Sequence, residues 1–142
     1  MRSLRFAIAL VAAPASAQAS TPEATAASFL DAFKSMDEAR FDGFFAPEVS
    51  MFFPDDRFPK GRVEGRDAVL AAFHSFFKRV KETGRNSLNI VPLEQSVQRY
   101  GDVAIVTFRL DSDERIGRRS IVFRKIAGDW RIAHFHASAI EK

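Results

Sequence analysis

The 142-residue chain contains no cysteine. That excludes a thiol nucleophile, thiolate metal ligands and disulfide stapling. Tryptophan and tyrosine occur once each and histidine three times, so acid–base chemistry near neutral pH rests on very few groups. No glycine-rich nucleotide fingerprint is present. No apolar run approaches the roughly 20 residues that a membrane-spanning helix requires. Charge of either sign is also nearly balanced, with 21 Lys and Arg against 18 Asp and Glu, a net +3. What the chain has in abundance is phenylalanine, fifteen in all. Such a supply of large apolar rings predicts an ample core and offers walls for a pocket.

The first residues carry their own signal. Arg2 and Arg5 precede a short apolar run, Phe6 to Ala13, and small residues follow as Ala15-Ser16-Ala17 and Ala17-Gln18-Ala19. That layout predicts a secretory signal peptide over residues 1–19, cleaved after Ala17 or Ala19, and export to a bacterial periplasm. Removing two arginines and no acid lowers the net charge from +3 to +1. The basic balance then gives no support for nucleic-acid binding, which needs clustered positive charge. No membrane insertion is expected once the segment is removed. Residues 20–142 suit one domain with one core.

Along the remaining chain, helical periodicity comes first and strand periodicity second. Thr21-Pro22-Glu23 reads as a capped helix start, with apolar residues recurring at Ala26, Phe29, Leu30, Phe33 and Met36. A second, short helix is expected over Glu38 to Phe45, ended by Pro47, and a short strand over Val49 to Phe53. The stretch 54–61 is a polar loop. A third helix, Arg66 to Lys81, presents Val69, Leu70, Phe73, Phe76, Phe77 and Val80. Four extended segments follow: Ser87–Arg99, Val103–Leu110, Arg118–Ile126 and Trp130–Ile140. Glycine-bearing turns at 100–102 and 127–129 join them as hairpins. Helices followed by a strand meander predict an α+β domain with a curved antiparallel sheet.

Three features carry a family resemblance: the helix, short helix, short strand opening; Val63-Glu64-Gly65-Arg66-Asp67-Ala68-Val69 entering the third helix; and the closing Gly128-Asp129-Trp130-Arg131-Ile132-Ala133-His134-Phe135-His136-Ala137-Ser138. Together they resemble the nuclear transport factor 2-like superfamily, within its SnoaL-like group. The closing strand is also similar to that of the calmodulin-dependent protein kinase II association domain. The resemblance implies a cone-shaped fold, three helices on a curved sheet, and a homodimer through the convex sheet face. It does not fix an activity, because such folds host isomerases, dehydratases, cyclases, hydrolases, adaptors and oligomerisation modules. In the ketosteroid isomerases of this superfamily, the catalytic Asp precedes a proline at the end of the first strand. That position here is Phe53, which cannot take a proton. Their oxyanion-hole tyrosine falls at Phe29 or Phe33, and their protonated acid falls in Ser120–Phe123, which has none.

Alternation on the closing strand places Ile132, His134, His136 and Ser138 on one face. His134 and His136 then have three readings. They are two of the three or four ligands zinc needs, with His74, Asp55 or Asp56 as partner; or one is a general base; or they are hydrogen-bonded structural residues at a subunit interface, the reading preferred. No metal and no cofactor are expected. Candidate acid–base residues are His134, His136 and Asp55. Candidate ligand-binding residues are Phe29, Phe33, Phe52, Phe73, Phe77 and Phe108, with Arg109 as an anchor if its strand face lines the cone. The other strand arginines, Arg118, Arg119 and Arg124, read as solvated surface. The expected function is therefore an exported accessory protein that takes a small apolar or weakly acidic molecule in a Phe-lined cavity. The alternatives are an isomerase, cyclase or lyase acting on a hydrophobic cyclic substrate, and an oligomerisation module.

Overall fold

The computed structural model describes residues 20–142, so the expected signal peptide lies outside the described residues. The first helix, α1 (Pro22–Ser35), begins as its sequence dictates. Thr21 Oγ1 accepts a hydrogen bond from Ala24 N at 3.1 Å, and Pro22 occupies the first turn, where no N–H is needed. Met36, left-handed at φ 50°, ends it. Helix α2 (Glu38–Asp42) is capped by Asp37, which accepts from Arg40 N at 3.2 Å. The chain then enters β1 (Phe45–Phe52), returns through a loop to the short β2 (Val63–Glu64), and climbs α3 (Arg66–Glu82). Four strands complete it: β3 (Leu93–Tyr100), β4 (Val103–Arg109), β5 (Arg115–Ile126) and β6 (Asp129–Glu141).

The second helix is shorter than expected, and Pro47 does not end it. Pro47 is exposed within β1, between Phe45 and Ser50, where the pairing register shifts. In such a stretch a missing N–H interrupts no ladder bond, so proline is tolerated. The hairpin turns lie where glycine predicted them. Ala127 (φ 49°) and Gly128 (φ 86°) join β5 to β6 with the two positive φ values of a type I′ turn.

The six strands run β2-β1-β6-β5-β4-β3. The sheet is mixed rather than wholly antiparallel, because β1 pairs with β6 in parallel. The cause is connectivity: after β2, helix α3 carries the chain to the far edge, and the meander β3 to β6 winds back to finish beside β1. A parallel pair needs such a long crossover. The sheet is also not strongly curled, so its two sides are called inner, under the helices, and outer.

Beneath α1 and α3, the inner face is a phenylalanine cluster. Phe41 of α2 sits at its centre, with ring centroids 5.3 Å from Phe29, 5.0 Å from Phe45, 4.9 Å from Phe73 and 5.1 Å from Phe77. Those four and Phe41 are all but inaccessible to solvent. Sheet residues Ala104, Val106 and Phe108 of β4, Ile121 and Phe123 of β5, and Ile132, Phe135 and Ala137 of β6 close the core from below. Among the described residues no polar or charged residue is fully buried. No helix among them is long and apolar enough to cross a membrane.

Candidate functional site

Alternation along the strands decides which side chains can meet. On β6 it is broken once: Val122 pairs with His134 but Phe123 pairs with Ile132, leaving Ala133 as the extra residue of a bulge. Ile132 therefore turns inward with Phe135 and Ala137. It does not share a face with the histidines, as uninterrupted alternation had suggested. His134, His136 and Ser138 remain together on the outer face.

There β1 brings Ser50 and Phe52 alongside, since Ser50 pairs with His134 and Phe52 with His136. Ser50 Oγ and His134 Nδ1 are hydrogen-bonded at 2.8 Å. The Phe52 ring lies 6.3 Å from His134 and 5.8 Å from His136, and the two imidazoles are 6.3 Å apart. Partial burial, reinforced by His136 and Arg62, holds His134 below the ordinary imidazole value. His134 is thus a neutral base at pH 7, bonded to a serine hydroxyl. Among the described residues no carboxylate bonds to it, so the orienting third group of a nucleophilic triad is missing. No group of three or more metal-ligating side chains is assembled among those residues either. Asp55 and Asp56 lie in the loop after β1, and neither is hydrogen-bonded to His134 or His136.

Asp55 is committed elsewhere. Its carboxylate accepts from Arg57 Nε at 2.7 Å and from Arg57 N at 2.9 Å, and the bond from the Arg57 side chain, chief among these effects, holds it below the ordinary carboxylate range. A carboxylate so held is a poor general base near neutrality. His74, on α3, bonds through Nε2 to Asp42 Oδ1 at 2.7 Å beside an open cleft of about 680 Å³ also lined by Glu38, Lys78 and Lys81.

The candidate ligand residues divide between the two faces. Phe29, Phe33, Phe73, Phe77 and Phe108 are buried on the inner side and form, with Phe41, a Phe-rich pocket filled by its own rings. Phe52 is not among them: it is 39% exposed on the outer face, and its neighbour Phe53 turns inward instead. Phe53 lies 4.1 Å from Phe58 and 5.9 Å from both Phe73 and Phe135, forming a half-buried rim to the pocket. Arg109 is likewise on the outer face, as it must be with Phe108 pointing inward. Its guanidinium is bonded to Asp111 at 2.7 Å and Glu94 at 2.8 Å. It therefore does not anchor anything in the interior.

Arg119, which had read as solvated surface, is on the inner face of the central strand β5. Gly117, Arg119, Ile121 and Phe123 are two apart, and the last two are fully buried. That spacing was the available signal: apolar residues at i+2 and i+4 assign Arg119 to their side. Its Nη1 donates to Arg118 O at 2.9 Å and Ser138 O at 3.1 Å. The guanidinium carbon is 5.8 Å from the Phe53 ring. Burial holds this arginine below its ordinary value.

Residues 23–141 match the family model described as a SnoaL-like domain. No curated protein matches the chain. Among solved structures, one from Thiobacillus denitrificans is described as a proposed calcium/calmodulin-dependent protein kinase type II association domain. It is 27% identical, with a TM-score of 0.62 over 84% of this chain and 95% of that one. A proposed ketosteroid isomerase from Parabacteroides distasonis is similar at 19% identity and a TM-score of 0.64, covering 85% and 89%. A proposed dehydratase of the nuclear transport factor 2-like family from Streptomyces avermitilis gives 19% and 0.64, covering 82% and 91%. At 19% identity the latter two establish a shared fold and nothing further.

Proposed function

Since the chain belongs to the SnoaL-like domain family, in the nuclear transport factor 2-like superfamily, we propose that it is an exported accessory protein whose Phe-rich interior receives a small apolar or weakly acidic molecule. The observation that carries this reading is the inner side itself: a cluster of buried phenylalanines with no fully buried polar or charged residue among the described ones. Apolar walls with few polar groups are the usual form of a small-molecule site. Because the rings touch, a guest enters by displacing the half-buried Phe53 at the rim and the buried Phe58 behind it. The outer face, with Phe52 39% and Ile140 45% exposed around His134 and His136, is the surface for a homodimer.

The test is native mass spectrometry of the protein taken from a periplasmic extract with gentle washing. A dimer carrying a defined extra mass supports the reading. A monomer that is empty and takes up no apolar fluorescent dye counts against both halves of it.

A second reading is an isomerase, cyclase or lyase acting on a hydrophobic cyclic substrate. Two structural neighbours described as a proposed isomerase and a proposed dehydratase favour it. In this chain its base is His134, neutral at pH 7 and bonded to Ser50. Deuterium uptake from solvent into cyclic ketones, lost in His134→Gln, would establish that reading; uptake unchanged in the variant would remove His134 from it.

A further inference from the structure

We propose that Arg119 is the anchor for a carboxylate, and that the ligand class of the interior is an amphiphilic monocarboxylic acid with a cyclic or aromatic body. The proposal rests on the reading of the interior as a small-molecule site and names its chemistry.

Four observations converge on it. The first is pairing. Most of the arginines with a side-chain partner meet a carboxylate: Arg40 with Asp31, Arg57 with Asp55, Arg62 with Glu64, Arg99 with Glu23, Arg109 with Glu94 and Asp111, Arg124 with Glu48, and Arg131 with Asp129. Arg119, beside the Phe53 ring on the inner face of β5, has none among the described residues, and like Arg66 and Arg79 it bonds only main-chain carbonyls. A charge drawn from water without a counter-ion is costly, and an anionic ligand relieves that cost.

The second is the donor edge. Nη1 is fixed by two main-chain carbonyls, which immobilises the head group. Nε and Nη2 make no hydrogen bond to the described residues, and no buried side-chain nitrogen or oxygen is left without a partner. Those two nitrogens therefore keep some contact with solvent. Two parallel N–H groups in one plane match the two oxygens of a single carboxylate.

The third is space. The guanidinium lies over Gly117, where an added Cβ would stand 3.0 Å from Nη1 and 3.3 Å from Nη2. Across the ladder Arg119 pairs with Ala137, and Gly117 with Ala139. Its neighbours along β5 and on the β6 side are thus small, while across the β4 ladder it pairs with Phe108. The fourth is the neighbour on the aromatic side. Phe53 sits beside the guanidinium and leads to Phe58, Phe73 and Phe135. A carboxylate on Arg119 therefore directs an attached ring toward the rim. A single guanidinium presenting one N–H edge matches a monoanion better than a phosphate dianion.

The test uses phenylacetate and its uncharged counterpart phenylacetamide, titrated by ligand-observed NMR into the wild-type protein, Arg119→Gln and Arg119→Lys. Arg115→Gln, at an exposed strand end, serves as the charge control, and thermal unfolding verifies that each variant is folded. The expected result is that phenylacetate binds the wild type at least tenfold more tightly than the amide. Arg119→Gln should remove that preference while keeping the weak amide affinity, Arg119→Lys should retain part of it, and Arg115→Gln should retain it all. Equal binding of acid and amide to the wild type would overturn the anchor and leave the interior site standing. So would acid binding that Arg119→Gln does not weaken. Absence of binding by either compound would overturn the anchor together with the interior site on which it rests.

Discussion

Phe41 offers the sharpest test of how the interior is held. It was not among the expected wall residues, yet its ring touches Phe29, Phe33, Phe45, Phe73 and Phe77 at centroid distances of 4.9–5.8 Å. Phe41→Ala removes a fully buried ring. Loss of its transfer energy and the cavity left behind together cost about 3–5 kcal/mol. Aromatic pairs add roughly 0.5–1.5 kcal/mol each, though five pairs sharing one ring do not sum. The expected destabilisation is about 4 kcal/mol, a large share of the 5–15 kcal/mol typical of a native protein. Urea unfolding of wild type and variant gives the difference directly, with an unchanged slope as the sign that the folded state is intact. Phe41→Leu should cost about 1–1.5 kcal/mol, since most of the volume stays. A rigid cavity lined by phenylalanines should also take up benzene and regain part of the lost stability. A loss below about 1 kcal/mol for Phe41→Ala, against the 3–5 kcal/mol of a tightly packed ring, would refute the picture of an interior filled by its own rings.

Three other outcomes follow from local geometry. Ala127 holds φ 49° in the β5–β6 turn, a left-handed conformation costing about 1 kcal/mol for alanine. Ala127→Asn creates the Asn-Gly pair favoured in type I′ turns, so its melting temperature should rise by a few degrees in a thermal scan. Gly117→Ala should do the reverse: its Cβ collides with the Leu110 carbonyl and crowds the Arg119 head group, and a drop in melting temperature with weakened phenylacetate binding is expected. Stability should also fall as pH drops. His134 is held below its ordinary 6.5 in the folded chain, so the unfolded chain binds more protons between the folded value and 6.5. Stability is then greater above that window and declines through it as pH falls. Melting curves at pH 7.5 and 5.5 should show a smaller decline in His134→Gln than in the wild type.

Local signals were legible where one residue type performs one task. The Thr21-Pro22 start, the apolar rows of α1 and α3 and the positive-φ turns at Gly101 and Ala127-Gly128 were all readable, because caps and periodicity act within a few residues. The parallel pairing of β1 with β6 was not, since it is decided by where α3 delivers the chain. Ala133 gives no outward sign of a bulge, being neither glycine nor charged, yet it sets the facing of Ile132. Phe52 was counted among the wall residues, and Arg109 as an anchor if its strand face lined the interior; Phe53 and Phe108, the adjacent residues, take the inward positions. Arg119 was readable from Ile121 and Phe123. The run of arginines in β5 concealed it, because Arg118 and Arg124 are indeed exposed.

The same parity bears on catalysis. His134 and His136 are on the outer face, and no register within the observed β5–β6 ladder turns them inward without also expelling Phe135 and Ala137 into solvent. The aromatic interior and the imidazole pair are therefore separated by the thickness of the sheet. A reaction needing both an apolar ring site and a neutral base has to take place at one face alone. On the inner side the rim position that holds the catalytic Asp, a general base, in the resembling isomerases is Phe53, and the polar group beside it is a guanidinium. A guanidinium donates hydrogen bonds but accepts no proton near neutral pH. The inner site is thus chemically equipped to hold and orient an anion. The Ser50–His134 pair, with the hydrogen-bonded imidazole of the outer face, is on the opposite side of the sheet from it.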